Sequence, residues 1–188
     1  MLTVKITGKE KVEIRDVPVP VPGDGEVLIK LKASALCRSD LYLYHGESVF
    51  DDTSKSTVIT PGHEPCGVVE KLGSNVKCIK PGDRVAIYLA LGCGKCHYCL
   101  QGYPMLCKEF RCLGFDLDGG HADYVVVPEI NCLPLPDAMS IVAGALSTDV
   151  GGTLKRLRVS GAKTVAIFGL VAKATTTADF SNIFLRIL

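Results

Sequence analysis

The chain has 188 residues, of which 47% are hydrophobic, and its 21 basic and 20 acidic residues leave a net charge of +1. That apolar content supports a packed core rather than disorder, and no basic run invites nucleic acid or an anionic membrane surface. The N-terminus lacks a signal-peptide pattern, no apolar run reaches about 18 residues, and nine cysteines form an odd count with one tight cluster, so a cytoplasmic chain without a membrane partner is expected.

The pattern begins as β. Leu2–Ile6 and Val12–Val17 are short strand candidates, and the Val-Pro repeats through Pro22 suit extended edge or loop backbone. Pro22-Gly23-Asp24-Gly25 is turn chemistry. Glu26–Ala35 then alternates, with Val27, Ile29, Leu31 and Ala33 on one side, as a strand with one buried face should. Cys37-Arg38-Ser39-Asp40 opens a short helix, Ser39–Tyr44, which Gly46 ends. Residues 46–60 read as a polar surface loop, and Pro61-Gly62-His63-Glu64 as a turn. Cys66–Leu72 and Asp83–Leu89 are strands separated by glycine turns.

Next comes Cys93-Gly94-Lys95-Cys96-His97-Tyr98-Cys99, closed by Cys107. Four thiolates this close in sequence can be drawn into a tetrahedron around one soft ion. Structural zinc is the first reading. An iron–sulfur cluster is the rival, since C-x2-C-x2-C also opens the ferredoxin run, where the fourth cysteine follows after three residues and precedes a proline. Here seven residues intervene, and Pro104 comes before the last cysteine. Unligated or disulfide-paired cysteines are the remaining alternative.

After the cysteine lobe, Gly119-Gly120 leads into a strand, Ala122–Pro128, and then Pro134-Leu135-Pro136-Asp137. Short strands with turns between them indicate a small β-barrel or sandwich. From Ser140 the character changes. Ile141–Leu157 is a helix candidate ending in Lys155, Arg156 and Arg158, the charge sign that a helix C-terminus prefers. Lys163–Phe168 is a β-branched strand closed by Gly169, and residues 171–188 suit one more helix.

Cys37 and His63 each sit beyond a predicted strand, beside a turn. Either alone is bland: a lone Cys is usually core, a lone His usually a satisfied polar group. With Asp40 and Glu64 beside them they read as two metal ligands with carboxylates to orient them, and a catalytic zinc needs a third ligand and an open position. Cys66, Cys78, Cys112 and Cys132 belong to no motif and read as structural.

Taken together, these motifs resemble the zinc-dependent medium-chain alcohol dehydrogenase family. Gly62-His63-Glu64-Pro65-Cys66-Gly67, then Gly73 and Val76, reproduces its zinc signature, G-H-E-x-x-G-x(5)-G-x(2)-V. Cys37-Arg38-Ser39-Asp40 is similar to the family's first catalytic ligand motif, and Cys93, Cys96, Cys99 and Cys107 match its structural-zinc lobe. His121-Ala122-Asp123-Tyr124 and Leu133-Pro134-Leu135-Pro136-Asp137 also fall where the family has similar segments. The resemblance runs from about residue 1 to 170.

The resemblance implies a mainly β chain with some α: a GroES-like β-barrel catalytic domain over residues 1–157, with its zinc lobe at 92–112, followed by an incomplete Rossmann βα unit at 158–188. It implies catalytic zinc at Cys37, His63 and Asp149, the position four residues before the Thr of Gly152-Thr153. Glu64 and Asp40 would sit behind the ligands. Ser39 would take the hydroxyl proton of a small alcohol and pass it outward through Tyr42 or His45. Arg38 would meet the pyrophosphate of NAD or NADP, the hydride acceptor.

The sequence departs from the family at the dinucleotide fingerprint. Gly169 stands at its first glycine, but Val171 stands at the second, where the pyrophosphate must approach, and Ala174 at the third. The ribose acceptor expected about 20 residues on would lie beyond Leu188. A truncated gene product, a fragment and a repurposed remnant all fit. Two functions follow: the zinc-bearing half of a dehydrogenase, inactive alone, or a non-catalytic zinc-binding β-domain or interaction module. An oligomer through the unpaired edges of strand 163–168 is a further expectation.

Overall fold

A computed structural model describes residues 1–47 and 58–147 of the chain. Strands β1 (Leu2–Gly8) and β2 (Lys11–Asp16) form an antiparallel hairpin, turned at Lys9-Glu10 with Glu10 in the left-handed region. The outer strand is exposed along its whole length. The inner strand is not an edge. Val4 donates its N–H to the His121 carbonyl at 2.9 Å, and Ile6 to the Ile59 carbonyl at 2.8 Å. β1 is thereby stitched to the two segments that flank His63.

The centre is β3 (Glu26–Ala35), and α1 (Arg38–Tyr44) follows it directly. β4 (Glu64–Leu72) pairs with β3, and β5 (Arg84–Ile87) with β4. The short strands β6 (Ala90–Leu91) and β7 (Arg111–Cys112) flank the cysteine lobe, which contains α2 (His97–Leu100). β8 (Tyr124–Pro128) covers the free edge of β3, and β9 (Cys132–Pro134) that of β5, giving the antiparallel order β8-β3-β4-β5-β9. A last helix, α3 (Ile141–Leu146), is capped by Ser140, whose Oγ accepts the Ala143 N–H at 3.1 Å. Mainly β structure with few helices is what the turn-separated strands predict.

Val27, Ile29, Val69, Val85, Ile87, Leu113, Val125 and Val127 form one buried cluster inside the curved sheet. Burying each such side chain is worth about 1.5–3 kcal/mol. The strand β3 differs from its one-sided reading: Leu28, which alternation places on the solvent face, is also buried, because α3 packs across β3, β4 and β5. Of the four cysteines outside motifs, Cys66, Cys112 and Cys132 are buried as core residues, whereas Cys78 is exposed. No helix among the described residues is long and apolar enough to cross a membrane.

Candidate metal centres

Four sulfurs converge in the lobe. The β6–β7 ladder brings the chain back on itself, and the buried Asn131 side chain donates to the carbonyls of Tyr88 and Ala90 at 2.8 and 2.9 Å, fixing the root from which the lobe springs. Cys96 is the N-cap of α2, and a 3-10 turn at Pro104–Leu106 delivers Cys107. Gly92 is needed for the close approach, since a Cβ there would lie 2.5 Å from the Cys99 sulfur. The Sγ atoms of Cys93, Cys96, Cys99 and Cys107 all lie within 4.8 Å of one another.

The backbone turns toward these sulfurs. Cys93 and Glu109 donate their N–H groups to Cys107 Sγ at 3.4 and 3.3 Å. Amides of Lys95 and Cys96 pull the Cys93 thiol down to about 7, while desolvation and the neighbouring sulfurs push Cys99 up. Without a cation the four cannot all ionise, because like charges at this range oppose one another. A divalent soft ion removes that conflict, so the donor set fits zinc.

A second cluster forms where β3 ends and β4 begins. Cys37 is the N-cap of α1, and its N–H donates to Asp40 Oδ2 at 2.8 Å. His63 follows Gly62, which sits at φ +97 with a carbonyl that accepts the Gly120 N–H at 2.6 Å. The turn 60–62 and the segment 119–121 are further joined by Gly119 N–H to Thr60 at 2.7 Å and His121 N–H to Pro61 at 3.0 Å. Two glycine-rich stretches thus form a ladder that fixes His63.

One ligand-type atom from each of Cys37, His63 and Glu64 falls within 4.8 Å of the others, and His63 and Glu64 are buried. His63 Nε2 lies 3.7 Å from Glu64 Oε1 and 3.3 Å from Ser39 Oγ, while its Nδ1 faces Asp40 Oδ1 at 3.4 Å. Contact with His63 draws the Cys37 thiol down to about 6 against desolvation. Burial lowers the imidazole, but Asp40 and Cys37 outweigh it and bring His63 up to about 10. Three groups able to carry negative charge therefore converge on one imidazole, an arrangement that a cation satisfies. The donors suit zinc: a thiolate, an imidazole and a carboxylate.

The predicted residues fall into three groups. Cys37, Ser39, His63 and Glu64 are brought together, with Glu64 itself at ligand reach rather than only behind a ligand. Arg38 lies exposed in the first turn of α1. His45, considered as an outward proton path, faces Glu10 at 3.3 Å at the other end of that helix. Asp149, Gly169 and the strand predicted at 163–168 lie outside the described residues. Sequence reading assigned no site role to Phe115, whose ring centroid is 5.0 Å from that of His63, or to His121, whose Nε2 lies 3.9 Å from Asp40. His121 opens the family-like segment His121-Ala122-Asp123-Tyr124, but nothing in that segment pointed to Asp40, and the neighbouring Gly119-Gly120 reads locally as a turn.

The arrangement has relatives. A family model described as the alcohol dehydrogenase GroES-like domain matches residues 23–137. The chain is 38% identical over 180 residues to the zinc-type alcohol dehydrogenase-like protein YphC of Escherichia coli, covering 90% of this chain and 51% of that protein. It is 36% identical over 167 residues to an alcohol dehydrogenase of Geobacillus stearothermophilus, covering 86% and 49%. A zinc-binding dehydrogenase from Sinorhizobium meliloti, solved bound to NADP, superposes with a TM-score of 0.78 at 33% identity, covering 97% of this chain and 53% of that one. The chain spans about half the length of the curated relatives it matches.

Proposed function

Because the chain belongs to the alcohol dehydrogenase family through its GroES-like domain, we propose that it supplies the metal-bearing, alcohol-binding half of a zinc-dependent, NAD(P)-linked dehydrogenase. The observation that carries this reading is the convergence of Cys37, His63 and Glu64 within 4.8 Å at the junction of β3, α1 and β4. When bound there, zinc supplies Lewis-acid polarisation of a substrate hydroxyl. Cys37, His63 and Glu64 are its proposed holders, with Asp149 as a further ligand. Cys93, Cys96, Cys99 and Cys107 hold a second, structural zinc.

The protein groups then have distinct tasks. Ser39 Oγ, within 3.3 Å of His63 Nε2, is placed to hold the proton of a small alcohol. Phe115 gives the His63 side an apolar wall that limits water. Arg38, exposed on the first turn of α1, is proposed to meet the cofactor pyrophosphate. Residues 1–157 are proposed as the catalytic domain and 158–188 as a diverged Rossmann-like segment. A reducing, cytoplasmic setting is proposed from the odd cysteine count and the metal-ligand spacing of the cluster.

A second reading, a non-catalytic zinc-binding β-domain, is favoured by Val171 at the fingerprint position where pyrophosphate must approach. For the same reason we propose that this chain alone binds NAD and NADP weakly and does not turn over alcohols. Calorimetric titration with each nicotinamide, paired with an assay on ethanol, sorbitol and benzyl alcohol, tests this. Metal at the Cys37 site with neither binding nor turnover supports the half-dehydrogenase reading. Tight binding with zinc-dependent cofactor reduction overturns the proposed inactivity. A chain that takes metal only in its four-cysteine lobe is the β-domain of the second reading.

A further inference from the structure

We propose that His121 is a positioning residue for the Cys37–His63–Glu64 site, acting through the Asp40 carboxylate; the inference rests on the metal-site reading above. Asp40 is 4% exposed, and its two oxygens face four neighbours. Oδ1 accepts the Gly62 N–H at 3.4 Å and lies 3.4 Å from His63 Nδ1. Oδ2 accepts the Cys37 N–H at 2.8 Å and lies 3.9 Å from His121 Nε2. The two imidazoles therefore address opposite oxygens of one buried carboxylate.

Burying a carboxylate is costly unless its charge is met by donors. Asp40 accepts from two amides, and His63 Nδ1 faces it at 3.4 Å without completing a hydrogen bond. Like His63 Nδ1, His121 Nε2 is a buried nitrogen without a hydrogen-bond partner among the described residues, and Asp40 is its charged neighbour. Closing the gap to hydrogen-bond length takes a shift of about 1 Å. The backbone that carries the ring is anchored on both sides, which leaves that adjustment to the side chain. The His121 N–H donates to Pro61 at 3.0 Å, its carbonyl accepts from Val4 at 2.9 Å, and its ring rests over Gly62, where a Cβ would come 2.7 Å from Nδ1.

The consequence reaches the metal ligand. A second imidazole N–H on Oδ2 fixes the orientation of the Asp40 carboxylate. Oδ1 is then held toward His63 Nδ1–H, which selects the tautomer whose Nε2 is free to ligate and orients the ring. His121 touches neither substrate nor metal in this scheme. Its effect is on ligand geometry, so it is read in metal affinity.

The test uses the 188-residue chain with zinc in the four-cysteine lobe, titrated with cobalt(II) and followed by its thiolate-to-cobalt charge-transfer band. His121→Phe, which removes the N–H at similar bulk, is expected to weaken cobalt binding about tenfold or more. His121→Gln, which keeps an N–H donor, is expected to stay close to the native affinity. Native affinity in His121→Phe, or equal weakening in both variants, overturns the inference. Should His121→Phe lose its lobe zinc and fail to fold, His121→Met takes its place in the same comparison. A native chain that shows no such band overturns the site and this inference together. A native band with unchanged variants overturns this inference alone.

Discussion

Gly120 donates its N–H to the carbonyl of Gly62 at 2.6 Å, so the turn that carries His63 and the segment that leads into β8 are held as one piece. The contact leaves no room for a side chain: a Cβ on Gly120 would lie 2.4 Å from Pro65 Cβ. Gly120→Ala is therefore expected to destabilise the chain by about 1–3 kcal/mol through overpacking. Because the strain falls on Pro65, two residues from His63, it should also weaken metal at the Cys37 site. Urea unfolding with metal analysis checks both, and a variant as stable as the native chain would contradict the interlock.

The lobe makes a separate prediction. Cys96→Ser replaces one of four converging sulfurs, and structural zinc contributes on the order of 10 kcal/mol of apparent binding free energy in small peptides at neutral pH. The variant should lose one metal ion per chain and melt at a lower temperature. Elemental mass spectrometry gives the count. Unchanged metal content would refute the lobe as a zinc site.

A third prediction concerns pH. Burial raises the Asp118 carboxyl, but the Lys5 ammonium at 2.6 Å and the Thr60 N–H at 2.8 Å outweigh it, so its pKa is lowered in the folded chain. A depressed carboxylate adds stability that is present above its unfolded value, about 3.9, and is lost as pH falls through the lower folded value. Asp118 is mostly exposed, so the gain is modest. Asp118→Asn should melt below the native chain at neutral pH, and the difference should close below about pH 4. A gap that persists at low pH would show that the carboxylate charge is not its source.

How far the sequence spoke depended on the range of each interaction. The cysteine lobe was legible because its four ligands lie within fifteen residues and their spacing already implies convergence. Cys37 and His63 were legible as ligand candidates mainly through the motifs that contain them, Cys37-Arg38-Ser39-Asp40 and Gly62-His63-Glu64, since a strand end beside a turn is a weak mark by itself. The strand β3 was read with its bounds intact, since alternation is a local signal, yet the burial of Leu28 was not, because it depends on α3 arriving from far along the chain. β6 and β7 are two residues each, too short for any period to register. Pairing of 60–62 with 119–121 joins stretches that each look like a turn, so neither the place of Phe115 beside His63 nor that of His121 beside Asp40 was marked locally, although His121 opens a family-like segment.

Whether the residues around His63 form a metal site distinct from the cysteine lobe is read from native mass spectrometry of the zinc-titrated chain beside Cys37→Ala. The native chain should take up two ions, the second more weakly than the first, and Cys37→Ala should stop at one. A native chain that never exceeds one ion, or a Cys37→Ala variant that still binds two, would rule out a metal site at Cys37 and His63.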